Sequence, residues 1–376
     1  MPRQSTEIPS LIAGLRREHP ELEAIVAAAE DPLYVVGGAV RDQLLGRGRA
    51  DLDLVVVGDA GALARSLGAD PVEHERFATA KVEIDGREVD LATARTETYP
   101  EPGALPVVAP AAGIEEDLGR RDFTVNAMAV PLGGEARLVD PHGGREDLDR
   151  GLLRVLHDRS FEDDPTRAIR AARYAARLGF GLEAGTERLL GAADFGTVSG
   201  DRRWAELRRL AAEDTAPKGF ELLAGWGLAE LRDGGAALAA GVAAMLGVPP
   251  WRGEVERADA VLAAALGPVG GEVDLAAASP VQPSEGVELA GRCDPVELVV
   301  ARALGAEWLD EYISEWRGVV LEINGADLIA AGVPQGPALG RGLAAALRAK
   351  LDGEAAGREA ELAAALVGAR PDRPSP

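Results

Sequence analysis

The sequence predicts an α+β chain, a small head of mixed strands and helices followed by an all-helical remainder, and three observations predict it. β-Prone runs such as Leu33-Tyr34-Val35-Val36 and Leu52-Asp53-Leu54-Val55-Val56-Val57 gather before Gly151 and nearly vanish after it. Beyond Gly151 the apolar residues recur at helical spacing. The 376 residues exceed a single domain of roughly 150, and 47% hydrophobic with 27% charged residues excludes a disordered or fibrous chain.

Taken in order, Leu11, Leu15, Leu22, Ile25 and Val26 recur among charges and predict packing helices over the first thirty or so residues. The run Leu33–Val36 enters Gly37-Gly38 and a helical Ala39 to Leu45, and a second helix is expected over Ala60 to Leu67. Lys81-Val82-Glu83-Ile84 and Glu88-Val89-Asp90-Leu91 alternate around Asp85-Gly86, a hairpin signal. Further on, Asp164 to Leu178, Arg202 to Ala212, Lys218 to Leu223, Ala236 to Leu246 and Pro337 to Leu351 read as helices. Pro/Gly-rich breaks fall at Gly247-Val248-Pro249-Pro250 and over Ala278 to Gly286, and Arg370 to Pro376 is expected to fray. Aromatics are only 4%, so the helices pack through Leu, Ala and Val.

Lys+Arg 40 against Asp+Glu 62 leave a net charge of −22, which argues against a general nucleic-acid coat and against DNA as partner. Any nucleic acid must be gripped by a local basic surface. The single cysteine, Cys293, excludes an internal disulfide framework and a four-cysteine zinc site, and reads as a buried small hydrophobe. His19, His74, His142 and His157 show no metal-ligand spacing. The apolar run Ala236 to Val248 is shorter than the ~20 residues that span a bilayer, and no signal peptide is visible. The expectation is a cytoplasmic protein with no membrane partner.

The informative residues lie in Ala50-Asp51-Leu52-Asp53-Leu54-Val55. Alternate side chains of a strand share a face, so Asp51 and Asp53 point one way while Leu52, Leu54 and Val56 point to the core. Two carboxylates this close repel, and a divalent cation such as Mg2+ removes the penalty. A solvated edge strand carrying two surface acids is the bland alternative for an isolated pair. Upstream, however, the strand Leu33–Val36 runs into Gly37 and Gly38 at a helix start, where backbone N–H groups can seat phosphate. Arg41, one turn inside, offers a forked donor, and Asp90 supplies a third carboxylate on another strand.

Gly37-Gly-Ala-Val-Arg-Asp-Gln-Leu-Leu-Gly46 with Asp51-Leu-Asp-Leu-Val55 resembles the signature of the tRNA nucleotidyltransferase / poly(A) polymerase family, and most closely the bacterial class II CCA-adding enzymes of the DNA polymerase β superfamily. Similar motifs follow in order: Asp90 to Tyr99, Glu116 to Ala129, Leu138 to Gly144, Asp163 to Phe180, Val198 to Leu207, and Ile323 to Ile329 through Pro337 to Gly340. The resemblance implies a polymerase-β-like nucleotidyltransferase head over 31–150 behind an N-terminal helical segment, 1–30. It implies a neck over 151–215 with a nucleotide-templating helix, a helical body over 216–320 and a helical tail over 321–376. It implies that Asp51 and Asp53, with Asp90, are catalytic, that Asp51 and Asp53 hold two magnesium ions, and that CTP, ATP and the tRNA 3′ end are the partners. Gly37, Gly38, Arg41 and Arg121 would hold the nucleotide, chiefly by its phosphates.

Asp164-Pro165 is a good helix opening, and at about 100° per residue Arg167, Arg170, Arg173 and Arg177 share one face opposite Ile169, Ala172, Ala175 and Ala176. A carboxylate accepts hydrogen bonds and a guanidinium donates them. Cytosine and adenine present an amine beside an unprotonated ring nitrogen, whereas uracil and guanine present a carbonyl and an N–H. One Asp with one Arg therefore accepts C and A and rejects U and G. The resemblance assigns this role to Asp164 and Arg167 and puts Arg170 and Arg173 near the nucleotide. Asp163 stands where the family usually has Glu, and Tyr174 where it usually has Phe. Arg202, Arg203, Arg208, Arg209, Arg341 and Arg348 are the sparse arginines expected to face RNA.

The implied activity is CCA addition with protein-side-chain templating and two-metal catalysis. An A-adding or CC-adding enzyme or a poly(A) polymerase stays open. CC-adding relatives carry a shortened segment between the head's motifs, and Thr96 to Leu118 is not shortened here. A small-molecule nucleotidyltransferase is disfavoured by the long helical body, and a non-catalytic RNA-binding relative by the presence of both aspartates.

Overall fold

The computed structural model of the chain describes residues 4–47, 52–68, 79–84, 86–267 and 270–370. The chain divides into two compact units, Met1–Leu210 and Ala211–Pro376.

In the first unit α1 (Gln4–Glu18) and α2 (Leu22–Ala28) bury Leu11, Leu15, Leu22 and Ile25, the stripe that predicted them. There follow β1 (Leu33–Val36), α3 (Gly38–Leu44), β2 (Asp53–Val56), α4 (Ala60–Ser66), β3 (Thr79–Ile84) and β4 (Arg87–Thr93). Next come β5 (Arg95–Thr98), β6 (Val107–Pro110), α5 (Ile114–Gly119) and β7 (Ala129–Pro131). Five strands form one mixed sheet in the order β3-β4-β2-β1-β7. Every pairing is antiparallel except β2 with β4, which the crossover through α4 makes possible. Val35, Val36, Leu54, Val55 and Leu91 are fully or almost fully buried, each side chain contributing about 1.5–3 kcal/mol of burial. The hairpin expected from alternation is β3–β4, with Ile84 opposite Arg87; Asp85 itself lies outside the described residues.

The unit continues through α6 (Gly144–Arg150), β8 (Leu152–Leu153), α7 (Ser160–Asp163), α8 (Thr166–Leu178), β9 (Gly181–Leu182), α9 (Ala184–Leu189) and α10 (Gly200–Ala212), the last crossing the boundary at Leu210. β8 and β9 pair in parallel; two-residue strands are too short to show alternation, so they escaped an all-helical reading. In α8, Ile169, Ala172, Ala175 and Leu178 face the core.

The second unit is helical: α11 (Ala216–Gly225), α12 (Gly235–Met245), α13 (Arg257–Leu266), α14 (Glu272–Ala277), α15 (Pro283–Ala290), α16 (Pro295–Ala303), α17 (Leu309–Ser314), α18 (Gly325–Ala330), α19 (Pro337–Leu351) and α20 (Arg358–Gly368). α15 starts inside the break expected over Ala278 to Gly286, because proline suits a first helical turn as well as a break. Ile323, Leu328, Ala346, Ala365 and Ala369 pack the last three helices. Trp251 is buried and donates from Nε1 to Asp310 Oδ1 at 2.7 Å, and Arg302 grips the same carboxylate at 2.8 Å through two nitrogens. Cys293 is half-buried rather than fully buried. Among the described residues no helix is long and apolar enough to cross a membrane. Pro371 to Pro376, expected to fray, lie outside the described residues.

Candidate active site

β1 runs straight into Gly37, whose φ of 67° and ψ of −126° favour glycine and whose N–H donates to the Met128 carbonyl at 3.1 Å. A Cβ there would stand 2.9 Å from Arg121 Nη1 and 3.8 Å from Asp53 Oδ2. The missing side chain thus lets the start of α3, the start of β2 and the Arg120-Arg121-Asp122 segment meet.

Asp53 is exposed at the head of β2, with Leu52 and Leu54 buried on either side of it. Its register partner on the parallel strand β4 is Asp90. Paired residues of adjacent strands share a face with backbones about 4.8 Å apart, so the two carboxylates lie side by side. Lys81 Nζ, bonded to Glu88 and 3.6 Å from Asp90 Oδ1, offsets part of their repulsion. Asp51, the other expected metal ligand, lies outside the described residues, as does His74. Among the described residues no group of three or more His, Cys, Asp or Glu is arranged to hold a metal. Asp53 and Asp90 nevertheless offer hard oxygen donors of the kind a divalent cation takes.

Asp117 on α5 is wholly buried and takes Arg120 on Oδ1 at 2.8 and 3.0 Å and Arg121 on Oδ2 at 3.0 Å. Burial pushes this carboxyl up, but Arg121 and Arg120 together hold it below the usual carboxylate range. Arg121 Nε is buried and makes no hydrogen bond, so this guanidinium is anchored with donor capacity left over.

The arginines of α8 gather around Tyr174, whose ring centroid lies 4.7 Å from Arg173, 5.3 Å from Arg177 and 5.6 Å from Arg170. Arg170 forks onto Asp122 Oδ2 at 2.7 and 2.8 Å and reaches Glu206 Oε1 at 3.3 Å and the Tyr174 hydroxyl at 3.2 Å. Asp122 is buried; desolvation raises its pKa, yet Arg170 and the Asn126 amide bring it down to about 2. Asn126 in turn accepts from Arg41 Nη1. Arg41, expected at the phosphates, is itself buried, with Asp42 on its fork at 2.8 and 2.9 Å and the Tyr174 ring 5.3 Å away. The contacts Arg41–Asn126–Asp122–Arg170 tie α3 to α8.

Asp164 precedes α8, which starts at Thr166, two positions into the range expected; its Oδ1 accepts from the Thr166 N–H at 3.1 Å and the Thr166 hydroxyl at 2.7 Å. Arg167 is buried, donating to Ser160 Oγ at 2.7 Å and to the Arg120 carbonyl at 2.9 Å, which uses two of its five donors. Tyr99 packs beneath it and donates to Glu97 Oε2 at 3.2 Å; burial pushes the phenol up to about 12.

Gly37, Gly38, Asp53, Arg121, Asp164, Arg167 and Arg170 line one open cavity of about 310 Å³. Three expected residues do not line it: Asp90 stands beside Asp53, Arg41 holds Asp42 and Asn126, and Arg173 is turned onto the Tyr174 ring. Arg120 and Thr166 also line it, and Glu97, Tyr99, Asp122, Asn126, Tyr174 and Glu206, which carried no role in the sequence reading, complete the lining. The signal for Asp122 and Glu206 was charge balance, since buried arginines require carboxylate partners. One arginine expected to face RNA turns inward instead, Arg202, to Asp164 at 3.0 Å; Arg209 pairs with Glu206 yet stays exposed, as do Arg203 and Arg208.

Residues 33–154 match the poly A polymerase head domain. Over 364 residues the chain is 39% identical to the CC-adding tRNA nucleotidyltransferase of Deinococcus radiodurans, covering 92% of each. The chain belongs to the tRNA nucleotidyltransferase / poly(A) polymerase family. As a nucleotidyltransferase it is also 42% identical to the A-adding tRNA nucleotidyltransferase of Halalkalibacterium halodurans, over 51% of this chain and 48% of that one. Among solved structures it resembles a CCA-adding enzyme in an apo form, with a TM-score of 0.75 and 29% identity over 95% of both chains. The Thermotoga maritima CCA-adding enzyme complexed with tRNA is similar at a TM-score of 0.66 and 28% identity, over 95% of this chain and 94% of that one.

Proposed function

We propose that this nucleotidyltransferase adds CMP and AMP from CTP and ATP to the 3′ end of tRNA, choosing the base with protein side chains. The supporting observation is that Asp53, Arg121, Asp164 and Arg167 line the same cavity. The relatives named above act on tRNA, and other structures of CCA-adding enzymes that the chain resembles hold ATP or CTP.

In this reading the oxygen of the tRNA 3′-hydroxyl bonds to the α-phosphorus and pyrophosphate leaves. Gly37 and Gly38 let the triphosphate approach the backbone, and Arg121, anchored by Asp117, donates to its oxygens. Asp53 and Asp90, with Asp51 of the same run, would hold Mg2+, which when bound neutralises phosphate charge and lowers the pKa of the attacking hydroxyl. Arg41 acts as a support, holding Asn126 and through it Asp122. Asp164 accepts from the base amine and Arg167 donates to the ring nitrogen; uracil or guanine would leave both polar groups mismatched. Residues 31–150 serve as head and 151–215 as neck, with 216–320 and 321–376 as body and tail.

A second reading, addition of CC alone, draws on the full-length likeness to a CC-adding enzyme, whereas the unshortened Thr96 to Leu118 segment favours an enzyme that also adds A. Incubation with tRNAs lacking CCA, lacking only the final A, and complete, with CTP and ATP separately and together, tests both. Extension of the first two to a full CCA end supports the proposal; arrest after CC supports the second reading; addition to complete tRNA, or none anywhere, overturns both.

A further inference from the structure

The segment after β5 is held against both halves of the Asp164/Arg167 pair. Tyr99 puts its ring 5.8 Å from the Arg167 guanidinium. Gly103, with φ of 70°, is buried where an added Cβ would stand 2.6 Å from the Thr197 carbonyl oxygen. Its N–H is shared by the carbonyls of Glu162 and Asp163, each at 3.2 Å, and its carbonyl accepts from Arg202 Nη1 at 2.7 Å. The second terminal nitrogen of that guanidinium, Nη2, lies 3.0 Å from Asp164 Oδ1. With Thr166 donating to the same oxygen twice, three groups pin Oδ1, and Oδ2 accepts none of these bonds.

We propose that Arg202 is a positioning residue for base selection, fixing the Asp164 carboxylate by bridging it to the Gly103 carbonyl. The inference rests on the reading that Asp164 and Arg167 choose the base. The chemistry explains why rigidity matters. Uracil and guanine also offer a donor beside an acceptor, but with the order reversed around the ring. A carboxylate free to slide by one ring atom could accept from the uracil N3–H while the guanidinium donates to its O2, or could accept from the guanine N1–H and amine together. Discrimination therefore depends on where Asp164 is held, beyond what it is. A planar fork suits this task because its terminal nitrogens reach two acceptors at a fixed separation.

The test is kcat/KM for CTP and UTP on tRNA lacking its CCA end and for ATP and GTP on tRNA lacking only the final A, in the full-length protein and in Arg202→Ala, Arg202→Lys and Gly103→Ala, with thermal melting of each variant. Arg202→Ala is expected to lower the CTP/UTP and ATP/GTP ratios about tenfold, the size of one charge-assisted hydrogen bond. Gly103→Ala, which moves the acceptor and leaves Arg202 in place, should lower them in the same direction. Arg202→Lys, a single ammonium that cannot bridge both acceptors, should recover only part of the loss. A purely structural role would slow all four nucleotides together. Unchanged ratios in Arg202→Ala and Gly103→Ala overturn the inference even if absolute rates fall. Should the unaltered protein itself use UTP and GTP as readily as CTP and ATP, the base-selection reading fails instead. If Arg202→Ala does not fold, Gly103→Ala and Arg202→Lys decide by the same ratios.

Discussion

Asp53 and Asp90 are register partners on β2 and β4, the parallel pairing in an otherwise antiparallel five-stranded sheet. The relationship places two acids on one face at the end of β2 nearest Gly37. Replacing Asp53 by Ala should reduce nucleotide incorporation by on the order of 10³-fold while leaving the melting temperature unchanged within a few degrees. Asp90→Asn should cost less, and the order of the two rates checks the assignment. Near-normal incorporation by Asp53→Ala would remove it from the catalytic set.

Gly37→Ala introduces a Cβ 2.9 Å from Arg121 Nη1 at a φ of 67°. Both effects push Arg121 from its anchored position. The expected outcome is a rise in KM for CTP and ATP of tenfold or more, read by steady-state kinetics, because a phosphate donor moves.

Asp122 is a buried anion, and its depressed pKa has a defined consequence for acid stability. Its folded pKa of about 2 lies below the ordinary 3.8, so the stabilisation is complete above pH 3.8 and is lost as pH falls through 2. The linked contribution is about 2 kcal/mol. Asp122→Asn should destabilise the protein by ~2–3 kcal/mol at pH 7, because Arg170 loses its two short charge-assisted bonds and keeps only Glu206 as an anion, at 3.3 Å. Denaturant melts from pH 7 to pH 2 should show the gap between the two proteins narrowing at the acid end.

Glu361 on α20 is fully buried and accepts from Lys350 Nζ at 2.6 Å and from the Glu322 backbone N–H at 2.7 Å. Glu361→Ala should cost roughly 2–3 kcal/mol of stability, the size of a charge-assisted hydrogen bond, without altering incorporation by the folded fraction. Denaturant titration with a parallel activity assay reads both quantities.

RNA binding to a chain of net charge −22 must rest on local arginines such as the exposed Arg203 and Arg208. The logarithm of tRNA affinity should fall linearly with the logarithm of salt, by about 0.7–0.9 per phosphate contact. A flat dependence, measured by filter binding between low and high salt, would contradict phosphate-led binding.

Much of the fold was legible because β-branched runs, the Asp85-Gly86 turn and the arginine periodicity of α8 are local signals. What escaped was relational. Nothing in the chain's order says that β4 pairs parallel with β2, so the juxtaposition of Asp53 and Asp90 emerges only from the sheet. Arg41 looked like a phosphate donor from its place one turn into α3, yet Asn126 and Asp42 claim it from the inner side. Likewise α10 presents four arginines, and their spacing does not reveal that Arg202 and Arg209 turn toward Asp164 and Glu206. Distant residues, such as Asn126 for Arg41 and Asp164 for Arg202, compete with near neighbours for each guanidinium, and that competition is decided by packing.

The most direct measurement is the sequence of newly added 3′ ends when tRNA lacking CCA is incubated with equal amounts of all four nucleoside triphosphates and no other RNA. The account predicts cytidine followed by adenosine, or cytidine alone, with uridine and guanosine rare. Ends carrying the four bases in comparable amounts, or ends left unextended, would contradict it.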